Sequence, residues 1–473
     1  MSSPSISRAL TWLAQRSPGA VAVRCEGRVL TREELDRRTN ALARRWIEEG
    51  VRPDDVVTVA LPNGVDAVLA HVAAWKAGAT PQPLSPRLPE QEREAVLALT
   101  RPALVVDAAL GDLTALTVGV DDGELPDLAA SSWKAPTSSG STGRPKVVRA
   151  AAPARVDPTA PVAPFVPLRA VQLVAGPLSH AAPFTYAMRG LMTGHELVVV
   201  PRFDAGRWLE LVAAARVTWG LLVPATMLRV WRHPARAAAD VSSLESVLHL
   251  GARCAPWLKR AWIGWLGAER VHEVYASTES QGLTFIDGAD WLRHPGSVGR
   301  PLPGSRFRVV RPDLTDCRPG EVGEVLMRRD VPTYTYLGAE PPLRDGWHAS
   351  GDSGWLDADG YLHVGDRIDD VVVSGGEVVV PADVEAVLEE HPRVRSAVVV
   401  GVADEELGQR VRAVVDGSGV DEQELDAWVA ARLPPRQRPA CWRFVTGPLR
   451  DDTGKVRRGL WRDDGVPGPA PRG

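Results

Sequence analysis

Apolar residues recur at helical spacing through Leu35, Ala41, Leu42 and Trp46, so residues 35–49 are predicted to form an amphipathic helix. A short apolar run over 56–61 follows as a strand, and 65–77 as a second helix. The alternation returns between 170 and 275. Runs at 173–175, 196–200, 218–223, 246–250 and 271–275 read as buried strands, with helices at 207–215 and 224–232 between some of them. Strands alternating with helices predict an α/β architecture of mixed, mostly parallel sheets flanked by helices. Near residue 365 the texture changes to strand, glycine turn, strand (371–373, Ser374-Gly-Gly, 377–380), then helix 382–390, strand 396–402 and helix 422–433. That is a small α+β unit of about 100 residues, large enough to stand as its own domain.

Length agrees, because 473 residues exceed one ordinary domain. A net charge of −4 gives no basic footprint, which argues against nucleic acid. No apolar run approaches the ~20 residues of a membrane span. Residues 1–20 lack the pattern of a signal peptide. Cys25, Cys254, Cys317 and Cys441 are widely scattered, which argues against a structural zinc site or disulfide framework and for a reducing cytoplasm.

Of the 55 basic side chains only five are lysine: Lys76, Lys134, Lys146, Lys259 and Lys455. A compact ammonium and a planar guanidinium are not interchangeable at a phosphate, so each retained lysine raises a chemical question. Lys146 and Lys455 lie in glycine-bearing motifs and are singled out. Lys76 and Lys259 are taken as chance survivors.

The segment Thr137-Ser-Ser-Gly-Ser-Thr-Gly-Arg-Pro-Lys146 is the clearest candidate for chemistry. Gly140 and Gly143 let backbone N–H groups approach an anion. The hydroxyls of Thr137, Ser138, Ser139, Ser141 and Thr142 add donors, and Arg144 and Lys146 add positive charge. The spacing is not that of a Walker loop. A flexible Ser/Gly linker would not need the Pro-Lys end. Downstream, Tyr275-Ala-Ser-Thr-Glu279 puts a carboxylate beside a hydroxyl at a strand end, a reasonable place for Mg²⁺ and phosphate.

The phosphate-loop segment resembles the AMP-binding signature of the acyl-CoA synthetase, adenylation-domain and luciferase superfamily. The resemblance runs in family order from Leu30-Thr-Arg-Glu-Glu-Leu35 to Arg458. It implies that 137–146 wraps the ATP phosphates, that Tyr275 stacks on adenine, that Thr278 meets phosphate and that Glu279 binds magnesium. Asp352 of Trp347-His-Ala-Ser-Gly-Asp352 and Arg367 are implied to hold the ribose, and Asp369 to be the pivot. Ser374-Gly-Gly-Glu377 resembles the hairpin that faces the site during thioester formation. Pro448-Leu-Arg-Asp-Asp-Thr-Gly-Lys455 resembles the terminal motif whose lysine joins substrate carboxylate to α-phosphate, a role that calls for a fixed cation. By the same analogy His180 is a pocket and catalytic candidate, and Gly251, Ala252, Arg253 and Ala276 line the acyl pocket. Val147 and Ala276 stand where relatives have glycine, and Arg253 where they have a small residue or proline. An arginine there has two readings: recognition of an extra anionic group, or an outward turn to solvent.

The implied organisation is a large domain 1–366, a hinge 367–370 and a small mobile domain 371–473. Gly78–Pro89, Gly176–Phe184 and Trp291–Gly299 look closer to the bacterial bile-acid-CoA-ligase-like branch. The expected activity is an ATP- and Mg²⁺-dependent acid:CoA ligase working through an acyl-AMP, on a small-molecule acid, with homodimerisation an open option. The alternatives are ATP-dependent activation of nitrite to diazotise an arylamine, acyl transfer to a carrier protein and, last, a non-catalytic nucleotide-binding scaffold.

Overall fold

A computed structural model describes residues 3–139, 145–451 and 454–462. The largest sheet has fourteen strands. Its first part is a parallel layer in which Val271–Ala276, Ser246–His249, Trp219–Leu222, Val171–Val174 and Glu196–Val199 lie side by side, followed by Val21–Cys25. Helices Ala205–Ala214, Pro224–Arg232 and Pro256–Leu266 pack with Trp208, Met227 and Trp262 against one face of this layer. Burying a side chain of that size contributes about 3 kcal/mol. Three shorter parallel strands, Val56–Val59, Thr80–Pro83 and Leu104–Val106, form a second sheet.

The helix expected at 35–49 runs from Arg32 to Glu48 and starts earlier because Thr31 and Glu34 form a reciprocal capping box. Helix Val65–Lys76 is buried on every side except near Asp66, so it behaves as a core element.

Beyond Ala276 the large sheet turns antiparallel, through Leu283–Asp287, Ser297–Pro301, Leu362–Arg367, Trp347–Leu356, Gly323–Arg329 and Ser305–Val310. This half was not foreseen. Segments such as Trp347–Leu356 (WHASGDSGWL) are largely half-buried and carry no apolar alternation to read. The chain then enters a five-stranded sheet, with Val394–Asp404 and Gly408–Gly417 paired along their length and Pro381–Glu390 and Glu422–Ala430 as its main helices. Val384, Leu388, Val399, Val415 and Leu425 close a core of its own. The architecture is a large α/β domain followed by a small α+β domain. Among the described residues no helix is long and apolar enough to cross a membrane.

Candidate active site

The phosphate-loop segment folds as an antiparallel pair, with Thr137–Ser139 against Pro145–Ala150 and Ser138 opposite Lys146. Gly140, Ser141, Thr142, Gly143 and Arg144 lie outside the described residues. On the other edge Tyr334–Leu337 pairs with the same strand and sets Tyr336 opposite Val148. Residues two apart on a strand share a face, so Lys146 meets Tyr336 diagonally.

That register builds a compact polar cluster. Lys146 Nζ donates to the Tyr336 hydroxyl at 2.9 Å and to Glu279 Oε1 at 3.1 Å. The Tyr336 hydroxyl also donates to Glu279 Oε1. Glu279 is 6% exposed, and burial pushes its pKa up. The Tyr336 hydrogen bond and the Lys146 charge outweigh that and hold the carboxyl below its ordinary value. Behind it, the Thr333 hydroxyl donates to the Glu279 carbonyl at 2.7 Å. Tyr334 and His348 share a 3.0 Å hydrogen bond next to Tyr336. Tyr336 escaped the sequence reading, although rarity offered a signal. The chain has five tyrosines, and Tyr275, Tyr334 and Tyr336 all stand here.

A second cluster lies on the adjoining strands. Tyr275 donates to Asp352 Oδ2 at 2.5 Å, and the Asp352 backbone N–H is held by the Ser350 hydroxyl at 3.0 Å. Arg367 lies opposite Asp352 in the strand register, 3.7 Å from its carboxylate, and donates to the Ser350 carbonyl at 2.9 Å. Gly351 has φ +75°, and a Cβ there would stand 2.6 Å from the guanidinium, so the close approach of Arg367 needs glycine. Burial pushes the Asp352 pKa up, against the pull of Tyr275, Arg367 and Lys455.

The terminal motif is docked on the large domain. Its loop comes from the small domain yet lies within electrostatic reach of Asp352. Gly454 (φ +78°) rests on the large domain, where a Cβ would stand 3.3 Å from Val223 and 3.5 Å from Ala225. Lys455 itself is exposed, and its backbone is held in a turn with Asp451. Ala276 is exposed at its strand end, with Thr278 half-buried just after it. His180 caps helix Ala181–Met192, and Gly251 (φ +88°) and Ala252 follow strand Ser246–His249. Arg253 is exposed, in line with the outward reading. Its guanidinium pairs across the domain seam with Asp383 at 2.8 Å. Asp369 lies in the short 3-10 turn Ile368–Asp370 between the domains, where its carbonyl accepts from Arg462 at 3.1 Å.

The family model for the AMP-binding enzyme matches residues 10–337, and that for the AMP-binding enzyme C-terminal domain matches 383–455. The chain belongs to the AMP-binding enzyme family. A feruloyl-CoA synthase from Amycolatopsis sp is 33% identical over 94% of this chain and 96% of its own length. A fatty acid–[acyl-carrier-protein] ligase from Streptomyces coeruleorubidus is 28% identical over 95% and 94%. Among solved structures, an amide bond synthetase from Marinactinospora thermotolerans superposes with a TM-score of 0.79 at 26% identity, covering 97% of this chain and 99% of that one. These three bear on the family, and none of them carries the bile-acid branch.

Proposed function

We propose that the protein is an AMP-forming acid:CoA ligase, which activates a small carboxylic acid with ATP and passes the acyl group to the thiol of CoA. The observation that carries this reading is the convergence of three groups from distant parts of the chain. Lys146, Tyr336 and Glu279 form one polar cluster, Asp352 and Arg367 an adjoining pair, and the turn that carries Lys455 docks from the small domain on Val223 and Ala225 of the large one. In the first step a substrate carboxylate oxygen attacks the α-phosphorus, the bond to pyrophosphate breaks, and an acyl-AMP forms. Lys455 offsets the charge of the two approaching anions, and Lys146 that of the departing pyrophosphate. Asp352 accepts from the ribose hydroxyls. In the second step the CoA thiolate attacks the acyl carbon and AMP leaves.

Glu279 fits a Mg²⁺ ligand. It is a buried carboxylate kept ionised, and the two hydrogen bonds it accepts both fall on Oε1. Bound there with ATP, the metal would neutralise phosphate charge. The proposed division is a large domain to 366, a hinge over 367–370 about Asp369, and a mobile small domain beyond. Relatives with thiol, carrier-protein and amine acceptors support the adenylating half more strongly than the choice of CoA. The test is release of pyrophosphate and AMP with carboxylates, with and without CoA, and with nitrite, with and without arylamines. Carboxylate-dependent pyrophosphate and CoA-dependent AMP are expected. Turnover with nitrite alone would replace the reading by diazotisation.

A further inference from the structure

Lys134 is a retained lysine that the adenylation chemistry does not use. It is 8% exposed, and its ammonium donates to Thr185 Oγ1 at 2.5 Å and lies 4.8 Å from the Trp133 ring centroid. The same indole carries a second cation, Arg189, at 4.9 Å. Thr185 and Arg189 stand four residues apart on helix Ala181–Met192 and so share a face. Among the described residues neither cation has a carboxylate partner, and the Arg189 guanidinium makes no hydrogen bond. Burial lowers the pKa of both groups, and the charge of Arg189 helps to bring that of Lys134 down to about 7. Two neighbouring enclosed cations without a counter-charge are costly, and an apolar pair would pack there at less expense. Close by, His71 is 2% exposed with Nδ1 unpartnered, edge-on to Phe184, whose ring stacks on Trp133.

The position of this pair gives it a use. The helix that carries Arg189 is capped by His180. Its Tyr186 packs against Trp219 at 5.7 Å, in the apolar cluster that contains Leu248 and Val274. The strands bearing those two residues run on into Gly251 and Ala276, at the proposed acyl pocket. One helix therefore carries both His180, at the proposed acyl pocket, and Arg189, which shares the Trp133 ring with Lys134.

We propose that Lys134 and Arg189 form an anion subsite at the inner end of the acid pocket, so that the acid activated here carries a second anionic group on an apolar body. This rests on the adenylation reading above. The acid presents one carboxylate to ATP and its second oxyanion to Arg189 and Lys134. The Trp133 ring fixes both cations, and Thr185 orients the ammonium.

The test compares matched acids, benzoate with isophthalate and heptanoate with pimelate, by pyrophosphate release in the wild type, Arg189→Leu, Arg189→Lys and Lys134→Met. Charge-assisted hydrogen bonds of this kind give the diacid an advantage in kcat/KM of roughly 100-fold. The advantage is expected to fall towards 1 in Arg189→Leu and to be partly restored in Arg189→Lys. Calorimetric binding of isophthalate without ATP separates the two claims. If no acid is adenylated but isophthalate binds the wild type and not Arg189→Leu, the ligase reading fails and the subsite stands. Equal loss for monoacids and diacids, or no diacid advantage in the wild type, overturns the subsite. Stimulation of benzoate turnover by added acetate, abolished in Arg189→Leu, would assign the pair to a free anion and overturn the substrate claim.

Discussion

Two glycine-bearing turns of the small domain meet the rest of the molecule in opposite ways. The turn that carries Lys455 is docked, with Gly454 against Val223 and Ala225 of the large domain. Among the described residues the hairpin at 374–377 has only small-domain partners. Gly375 N–H donates to the Leu407 carbonyl at 2.9 Å, and Glu377 pairs with Arg436 at 3.2 Å. Beside it Val373, Val378 and Leu407 are 48%, 62% and 45% exposed, a patch of apolar surface that no described residue covers. One small domain cannot present both turns to one site, so on the roles proposed for them this structure holds the arrangement suited to adenylation. On the same proposal the second half-reaction would use a rotation about the hinge, and the balance between the two positions becomes a testable quantity.

The largest effect expected from breaking the contrast is at Lys455. Lys455→Ala should lower acid-dependent pyrophosphate release by about 10²–10³-fold, the usual cost of removing one electrostatic stabiliser of a transition state. ATP binding should largely survive, and conversion of supplied acyl-AMP to thioester should change little. Gly376, at φ +83°, is the counterpart in the hairpin. Gly376→Val strains a left-handed position and should slow the thioester step about tenfold while adenylation holds. If both variants slow the same half-reaction, the two turns do not have separate duties.

Next in size is Arg458, three residues beyond Lys455. Its guanidinium, 9% exposed, pairs with Glu385 of the small domain, with Asp366 at 3.5 Å and with Asp370 at 3.6 Å. It therefore ties both sides of the hinge to the segment that bears the adenylation lysine. Removing one partner from a buried ion network leaves the others uncompensated, so Arg458→Leu should cost about 3–5 kcal/mol. Chemical unfolding should show the loss in the small-domain transition. An unchanged midpoint would mean that Arg458 is not the fastening.

The lysines show what the sequence made legible and what it did not. Lys146 and Lys455 stood out because they sit in glycine-bearing motifs. Lys76 and Lys259, taken as chance survivors, are enclosed as well. The Lys76 ammonium is bonded to Asp36 and Asn40 at 2.5 Å each, and that of Lys259 to buried Glu273. For Lys76, Lys134 and Lys259, all buried, a retained lysine reports confinement, where a compact ammonium fits and a guanidinium does not, whereas Lys455 is exposed. Partners stayed hidden for a plain reason. Glu279 lies 133 residues from Lys146 and Tyr336 lies 190 away, and only the strand register brings them together. The parallel layer was readable from its apolar runs. The antiparallel half was not, because a sheet that serves as a site wall has polar residues on faces that would otherwise alternate. The partner of Arg253 stayed hidden for the same reason, since Asp383 belongs to another domain.

A smaller effect is expected at Arg232, which reaches across the domain seam. It donates to the main-chain carbonyls of Glu389 and Val394, and to that of His391 at 3.2 Å. Arg232→Ala removes these bonds without touching either turn. At about 1.5 kcal/mol for a hydrogen-bonded charge, adenylation should fall roughly tenfold. The thioester step from supplied acyl-AMP should be unimpaired or faster, since the undocked state is relieved of a competitor. Parallel loss in both half-reactions would point to a folding defect and not to a shift in domain balance.

The smallest effect sharpens the same comparison through salt. Arg253 and Asp383 make a further cross-seam pair, with side chains 35% and 47% exposed. Ion pairs with that much solvent contact contribute no more than about 1 kcal/mol. Arg253→Ala should therefore slow adenylation at most about fivefold at low ionic strength. The difference from wild type should shrink as salt shortens the Debye length to ~3 Å at 1 M. Asp383→Ala should match it, and the double variant should be no worse than either single one, because each single change already removes the whole pair. If Arg253→Ala instead alters which acids are accepted, with Asp383→Ala silent, the guanidinium turns into the acyl pocket during turnover and the seam contact is only its resting place.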